Sequence, residues 1–290
     1  MAFLLNRRSV ILGLLAASQV SGSAFADDGE FSQRIAELEA RGGGRLGVCV
    51  IDTATGRSVA HRGDERFPFC STYKLLAATF LLKRVEAGQE QLDRRIRYGV
   101  ADLVGAAPYT GKYAGGSGVS LQRLAEAAMT QSDGTAANLI VETFGGPAEL
   151  TRYARTLGDA VTRVDRYEPE LAEAVPGDPR DTTSPNAMAE NVRKVVMGEA
   201  LQQAGTAQMV AWLMANRTGD ERLRAGTPDD WIIGDKTGSS RNGATNDIGF
   251  MQPPGRSPLI VAAYYAESKL NSAGRSAVLA DVARVIVQTL

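Results

Sequence analysis

Apolar residues first recur at helical spacing at Phe31, Ile35 and Leu38, and Gly42-Gly43-Gly44 ends that pattern. Two strands are predicted next, over 45–52 and 57–62, around the turn Thr53-Ala-Thr-Gly56. After Phe67-Pro68-Phe69 a long apolar helix is predicted from about Ser71 to Ala87, with Gly88 as its stop. Ser120 reads as the cap of a helix through Thr130, with Leu121, Leu124, Ala125 and Ala128 on one face. Pro147 takes the first helical position after Gly145-Gly146, and Gly158 follows that segment's end. Residues 159–185 are polar, Pro-rich and aperiodic, the mark of a functional or disordered loop. Two more helices are predicted around 186–201 and 206–216. Strands return at 231–237, 246–252 and 259–265, and a last helix from Ser276 carries Val278, Val282, Val285 and Ile286 at helical spacing.

Strands near both chain ends with helices between them predict an α/β (α+β) fold. Its five-stranded antiparallel sheet is flanked by helices and built from both ends, with an all-α domain inserted. The expected division is 27–65 with 220–290 for the sheet domain and 66–219 for the helical one.

The opening stretch falls outside this pattern. Arg7-Arg8 precedes an apolar run from Val10 to Ala17, and Ala24-Phe25-Ala26 is an A-x-A cleavage signature, so residues 1–26 read as a signal peptide. The run is too short to span a bilayer, and the paired arginines leave twin-arginine and ordinary export both open. Periplasmic or secreted protein without a membrane anchor is expected. Loss of Arg7 and Arg8 with the leader would take the formal charge from -1 to -3, which disfavours nucleic acid as a partner. A monomer is expected. Two cysteines, Cys49 and Cys70, are too few for a disulfide framework, and each reads as a small buried residue. The single histidine, His61, excludes histidine-rich zinc sites, and neither metal nor cofactor is expected.

Candidate chemistry then rests on hydroxyls, amines and carboxylates. Ser71-Thr-Tyr-Lys74 puts a hydroxyl and an ammonium one helical turn apart, where a desolvated lysine could serve as the base for a serine nucleophile. Alone the spacing means little, since S-x-x-K should arise about once by chance in a chain this long. Ser132-Asp133-Gly134 and Lys236-Thr237-Gly238 each have a chance expectation of roughly 0.06 on the same usage, and each alone reads as a turn. All three in this order, downstream of an export signal, are a different matter.

With these motifs the chain resembles the class A serine β-lactamases, relatives of the penicillin-binding proteins, over about residues 30–290. Glu168-Pro-Glu-Leu-Ala172 adds a fourth element, inside a segment similar to the family's Ω loop, with Arg166 and Asp181 as the implied closing ion pair. The resemblance implies that Ser71 attacks a lactam carbonyl, and that the N–H groups of Ser71 and Ser239 form the oxyanion hole. Lys74 and Glu168 are both candidate bases for acylation, a choice long disputed in this family. Ser132 would pass a proton to the lactam nitrogen, aided by Lys236, and Glu168 would activate the deacylating water. Lys236, Thr237, Gly238 and Ser239 line the implied substrate strand, with Gly134 opposite. Arg222 stands where some members place the cation for the substrate carboxylate, because the usual place on the next strand holds Thr245.

Four positions depart from the family pattern. Gly134 lacks the usual asparagine amide, and Ala172 replaces the asparagine that helps to hold the water. Ala106 stands where an aromatic often guards the cleft. Cys70 faces Ser240 in place of a disulfide partner, so no disulfide is expected. Three alternatives stay in view. They are a D,D-peptidase of the same fold, a receptor that traps β-lactams by slow deacylation, and a Ser-His-Asp hydrolase recruiting His61.

Overall fold

The computed structural model describes residues 28–290; the signal-peptide reading lies outside them. The chain opens with helix α1 (Asp28–Gly42) and the hairpin β1 (Arg45–Asp52) and β2 (Ser58–His61). Four two-residue strands punctuate the helical part that follows: β3 (Phe67–Pro68) pairs with β6 (Thr182–Thr183), and β4 (Arg95–Ile96) with β5 (Val119–Ser120). The helices there are α2 (Lys74–Glu86), α3 (Leu121–Thr130), α4 (Gly134–Thr143), α5 (Pro147–Thr156), α6 (Pro185–Val196) and α7 (Gln203–Met214). A short α8 (Leu223–Gly226) leads into β7 (Ile232–Ser239), β8 (Thr245–Gln252), β9 (Leu259–Ala266) and α9 (Ser272–Thr289).

The five long strands form one sheet in the order β2-β1-β9-β8-β7, every neighbour antiparallel. First and last parts of the chain therefore pair directly, Val48 opposite Ala263 and Val50 opposite Val261, as the strand pattern predicts. Alternate residues divide between two cores. Val48, Val50, Val261, Ala263 and Tyr265 pack with Phe31 and Ile35 of α1 and Leu279, Val282 and Ile286 of α9. Cys49, Ile51, Ile260, Ala262 and Tyr264 pack into the larger core shared with α2, α4 and α6. A strand buried on both faces reads as an unbroken apolar run, which accounts for Leu259-Ile-Val-Ala-Ala-Tyr-Tyr-Ala266.

Local chemistry fixes the element ends. Ser120 and Ser184 accept from the backbone N–H groups of Arg123 and Ala187, and Pro147 and Pro185 begin their helices. The structure differs from the periodicity at three places. Ser71 lies in a 3₁₀ turn, Cys70–Tyr73, and the α-helix proper starts at Lys74. The last helix begins at Ser272, capped by Asn271, four residues before the apolar stripe makes itself felt. Helix α4 has no counterpart in the sequence reading: seven of its residues are buried, so it lacks the polar face that reveals a helix.

Candidate active site

The nucleophile candidate sits on a backbone held from two directions. Asn246 on β8 donates its amide to the carbonyls of Pro68 (2.8 Å) and Phe69 (3.1 Å), while Phe69 N–H donates to Asp181 O at 3.2 Å. Gly238 of β7 packs against the same turn, and a Cβ there would stand 2.7 Å from the Phe69 carbonyl oxygen. Only glycine lets the strand come that close. Cys70 takes a positive φ of 48° at the corner, and its thiol is free and buried, as is that of Cys49.

Lys74 is 1% exposed and gathers the catalytic candidates around its ammonium. It donates to Ser71 Oγ at 2.9 Å and to the Ser132 carbonyl at 2.8 Å, with Ser132 Oγ at 3.5 Å. Glu168 Oε1 lies 3.2 Å from the same nitrogen and also 3.2 Å from Ser71 Oγ. The serine hydroxyl thus touches both residues that could take its proton.

Ser132 bridges this group to β7. Its φ of 57° is left-handed, a conformation that costs a non-glycine residue roughly 1–2 kcal/mol. Asp133 holds the turn in place: its carboxylate accepts from the N–H groups of Tyr109 (3.0 Å) and Thr110 (2.9 Å), and it caps α4 through Ala136 N–H at 2.8 Å. Ser132 Oγ is then 3.0 Å from Lys236 Nζ. Lys236 is fully buried and also donates to the Thr237 carbonyl at 2.8 Å. Burial, followed by the charge of Lys74, holds its pKa well below the ordinary 10.5, with Asp235 and Asp247 opposing.

Glu168 is clamped by its main chain, the Asn138 amide donating to Glu168 O at 2.8 Å and accepting from Glu168 N at 3.0 Å. The segment that carries it is closed by the Arg166–Asp181 ion pair at 2.6 Å, and Arg166 also reaches Glu173 at 2.6 Å. On the opposite wall Arg222 is buried and donates to the carbonyls of Gly238 (2.9 Å) and Asn246 (2.7 Å) and to Ser239 Oγ (2.6 Å). Its pKa is lowered chiefly by burial. Ser239, exposed at the end of β7, pairs opposite Thr245, whose hydroxyl accepts from Arg275 at 2.9 Å.

All the candidate catalytic and substrate-binding residues but Lys236 line one cleft, and Lys236 meets it through Ser132. A pocket of about 330 Å³ is lined by Ser71, Lys74, Ser132, Gly134, Glu168, Arg222, Thr237, Gly238 and Ser239. Ala106 and Ala172 line it too, and both continue into an adjoining hollow of about 860 Å³ that reaches Ser240 and Asn242. Three of the four departures from the family pattern, Ala106, Gly134 and Ala172, therefore border cavity, where a larger side chain would take up space. Gly134 is tighter, since a Cβ there would approach the Val104 carbonyl oxygen to 3.3 Å. His61 is elsewhere, on β2 beside Glu39, whose Oε2 is 3.3 Å from its Nε2. No group of three or more His, Cys, Asp or Glu among the described residues could hold a metal ion.

The sequence reading missed Asn138, Asn246, Thr218 and Arg275. Asn138 had a signal, a lone amide in the apolar run Ala136–Val141 that must find a partner. Thr218 lies on a loop, Asn246 near the start of β8 and Arg275 in the first turn of α9, all places where polar residues are ordinary.

Comparison with known proteins agrees with this geometry. The profile of the β-lactamase enzyme family matches residues 30–290. The β-lactamase OXY-2 of Klebsiella oxytoca is 43% identical over 270 residues, covering 93% of each chain. Among solved structures, an ancestral class A β-lactamase reconstructed for Gram-negative bacteria is 56% identical, with a TM-score of 0.88 over 90% of this chain and 100% of the other. A putative class A β-lactamase from Rhodopseudomonas palustris is 50% identical at the same TM-score and coverage. Fold, cleft and kinship together show that this chain belongs to the class A serine β-lactamases.

Proposed function

We propose that this β-lactamase opens the lactam amide through an acyl-enzyme on Ser71. The observation that carries the reading is the contact of Ser71 Oγ with both Lys74 Nζ and Glu168 Oε1 in a cleft that also presents Ser132 and Lys236. Ser71 Oγ bonds to the carbonyl carbon as its proton passes to Glu168, or to Lys74 once that ammonium has given a proton to Glu168; both groups are in reach. The N–H groups of Ser71 and Ser239 receive the developing oxyanion, worth about 3–4 kcal/mol per donor in comparable sites. As the C–N bond breaks, Ser132 gives its proton to the lactam nitrogen and is resupplied from the neighbouring ammonium groups. Glu168, its acylation proton handed on through Lys74 to Ser132, then takes a proton from the water that attacks the ester, and that proton goes to Ser71 Oγ as the ester C–O bond breaks. Lys236, Thr237, Ser239 and Arg222 hold the substrate carboxylate.

The same reading makes the protein an exported monomer, cleaved near residue 26, that protects its host from β-lactams and binds no nucleic acid. It also keeps the division into 27–65 with 220–290 and 66–219, the cleft lying between the two parts. No helix among the described residues is long and apolar enough to cross a membrane.

The test follows penicillin hydrolysis and protein mass together. Steady turnover without a lasting adduct is expected, whereas a stoichiometric burst with a persistent adduct would favour a peptidase or receptor. Ser71→Ala should form no adduct, and Glu168→Ala should accumulate it. An adduct on Ser71→Ala would overturn the choice of nucleophile.

A further inference from the structure

Behind the substrate strand runs a chain of hydrogen bonds whose direction can be worked out. Asp235 is buried on β7, and Asn216 Nδ2 donates to its Oδ2 at 2.5 Å. The loop carrying Asn216 is held close: Arg217 N–H donates to Thr130 O at 2.9 Å, and a Cβ on Gly219 would fall 1.9 Å from Asp235 Oδ2. Only a glycine allows that approach. Asn216 Oδ1 accepts twice from Thr218, from its N–H at 3.2 Å and from its hydroxyl at 2.8 Å. Thr218 Oγ1 is in turn hydrogen-bonded to Thr237 Oγ1.

A backbone N–H can only donate, so Thr218 N fixes which end of the Asn216 amide faces it, and the NH₂ end must face Asp235. The Thr218 hydroxyl has one proton. Were it given to Thr237, Thr218 Oγ1 and Asn216 Oδ1 would meet at 2.8 Å as two acceptors. Its proton therefore goes to Asn216, and the bond to Thr237 must be made with the proton of Thr237. That proton is the one an incoming carboxylate needs, because Thr237 belongs to the wall of the cleft and Thr218 lines it beside Arg222 and Ser239.

We infer that Thr218 is a positioning residue that withholds the Thr237 hydroxyl from the substrate carboxylate and so sets how strongly the cleft takes anionic β-lactams. The inference rests on the β-lactamase reading and adds a selectivity control to it. To dock, the carboxylate must turn the Thr237 O–H away from Thr218, and one internal hydrogen bond is lost in exchange for the new one. The lysine and the arginine supply attraction; the Asp235–Asn216–Thr218 chain subtracts from it. A cleft built this way holds product less tightly once the ring is open, since the carboxylate survives hydrolysis.

The experiment compares KM and kcat for a penicillin and for its carboxylate methyl ester, in the parent enzyme and in Thr218→Val and Thr218→Ser. Valine keeps the shape of threonine without a hydroxyl and frees the Thr237 proton. It should lower KM for the acid about three- to tenfold, the loss of one ordinary hydrogen bond being of that order. The ester should gain far less, so the acid-to-ester preference rises by a similar factor. Serine restores the hydroxyl and should return that preference to within about twofold of the parent. Thr218→Ala carries the same expectation as valine should valine impair folding. With the parent hydrolysing both compounds, a raised KM for the acid in Thr218→Val would overturn the inference, because Thr218 would then be holding the carboxylate itself. An equal change for acid and ester would overturn it too, as the mark of a merely structural residue. A parent that hydrolyses neither compound would overturn the mechanism proposed above instead.

Discussion

At opposite edges of the five-stranded sheet stand two compact groups of ionisable side chains, one beside β2 and one beside β7. Beside β2, Glu39 accepts from Arg62 Nε and Nη2 at 2.7 Å each, from Leu46 N–H at 2.9 Å, and lies 3.3 Å from His61. Arg62 also reaches Glu65 at 2.8 Å. Charges of opposite sign alternate there, partly in contact with water. Beside β7, Lys74 and Lys236 are 1% and 0% exposed, and a single carboxylate, Glu168, pairs directly with Lys74. Lys236 has a hydroxyl and a carbonyl as its hydrogen-bond partners, and the carboxylates Asp235 and Asp247 act on it through their charge. The titration behaviour separates the two edges. Burial pushes the pKa of Glu39 up, but the hydrogen bonds from Arg62 and Leu46 outweigh it and leave the value at about 2. For Lys236 burial wins, and the neighbouring ammonium adds to it. One edge is arranged to lower the energy of the fold. At the other, a cost is carried where the proposed mechanism moves a proton and binds an anion.

The largest effect should come from the costly edge. Lys236→Ala removes a cation and the partner of Ser132, and kcat/KM should fall by roughly 10²–10³, the scale seen when one positioned donor is removed from an active site. The pH profile sharpens this. Because the native pKa of Lys236 lies below 10.5, its charge is lost on a limb below that pH, and KM for an anionic substrate should rise there. Stability moves the other way: the unfolded chain keeps that proton up to about 10.5, so unfolding takes up a proton and this residue's contribution grows with pH across the window. Substrate affinity therefore declines while Lys236 itself ceases to destabilise. Lys236→Arg, which stays charged, should shift the KM limb to higher pH; an unmoved limb would assign it to another group.

Removing Glu39 tests the satisfied edge. Glu39→Gln should cost about 1–3 kcal/mol of stability at neutral pH through the loss of charge-assisted hydrogen bonds, with turnover unchanged. The native pKa of about 2 lies below the ordinary 4.5, so the contribution of this carboxylate is complete above 4.5 and is lost as pH falls toward 2. Parent and variant should then converge in denaturant midpoint under strong acid. A constant difference down to that pH would show that shape, not charge, is what Glu39 supplies.

How much of this was legible beforehand follows from the kind of signal each residue leaves. Ser71, Lys74, Ser132, Glu168 and Lys236 lie in short strings whose residue types are rare together, and the five strands announce themselves by apolar runs between turns. Helix α4 stayed hidden because it is buried almost all round and begins directly at Ser132-Asp133-Gly134, a string that reads as a turn. Asn216 and Thr218 stayed hidden for another reason. Their meaning lies in contacts nineteen residues away in sequence, with Asp235 and Thr237, and a threonine on a loop carries no mark of whom it will meet. Spacing reveals groups that share a helix turn; it cannot reveal which hydroxyl must give its proton to which.

His61 gives the smallest expected effect and the sharpest test of what a lone histidine means here. Its ring lies at the edge of the sheet remote from Lys236, on the strand β2, and its contact with Glu39 is longer than either bond from Arg62. With the carboxylate already held by a guanidinium and a backbone N–H, the imidazole adds a third and weaker partner. His61→Gln, which keeps an N–H donor, should change stability by no more than about 0.5 kcal/mol, as a substitution away from any special feature does. Hydrolysis should proceed at the parental rate. A loss of turnover on the scale of Lys236→Ala would require a route from β2 to β7 across the whole sheet and would return the histidine to the catalytic machinery. The contrast between the edges predicts instead that the only imidazole in the chain serves the fold, and that proton transfer rests with lysine, glutamate and serine.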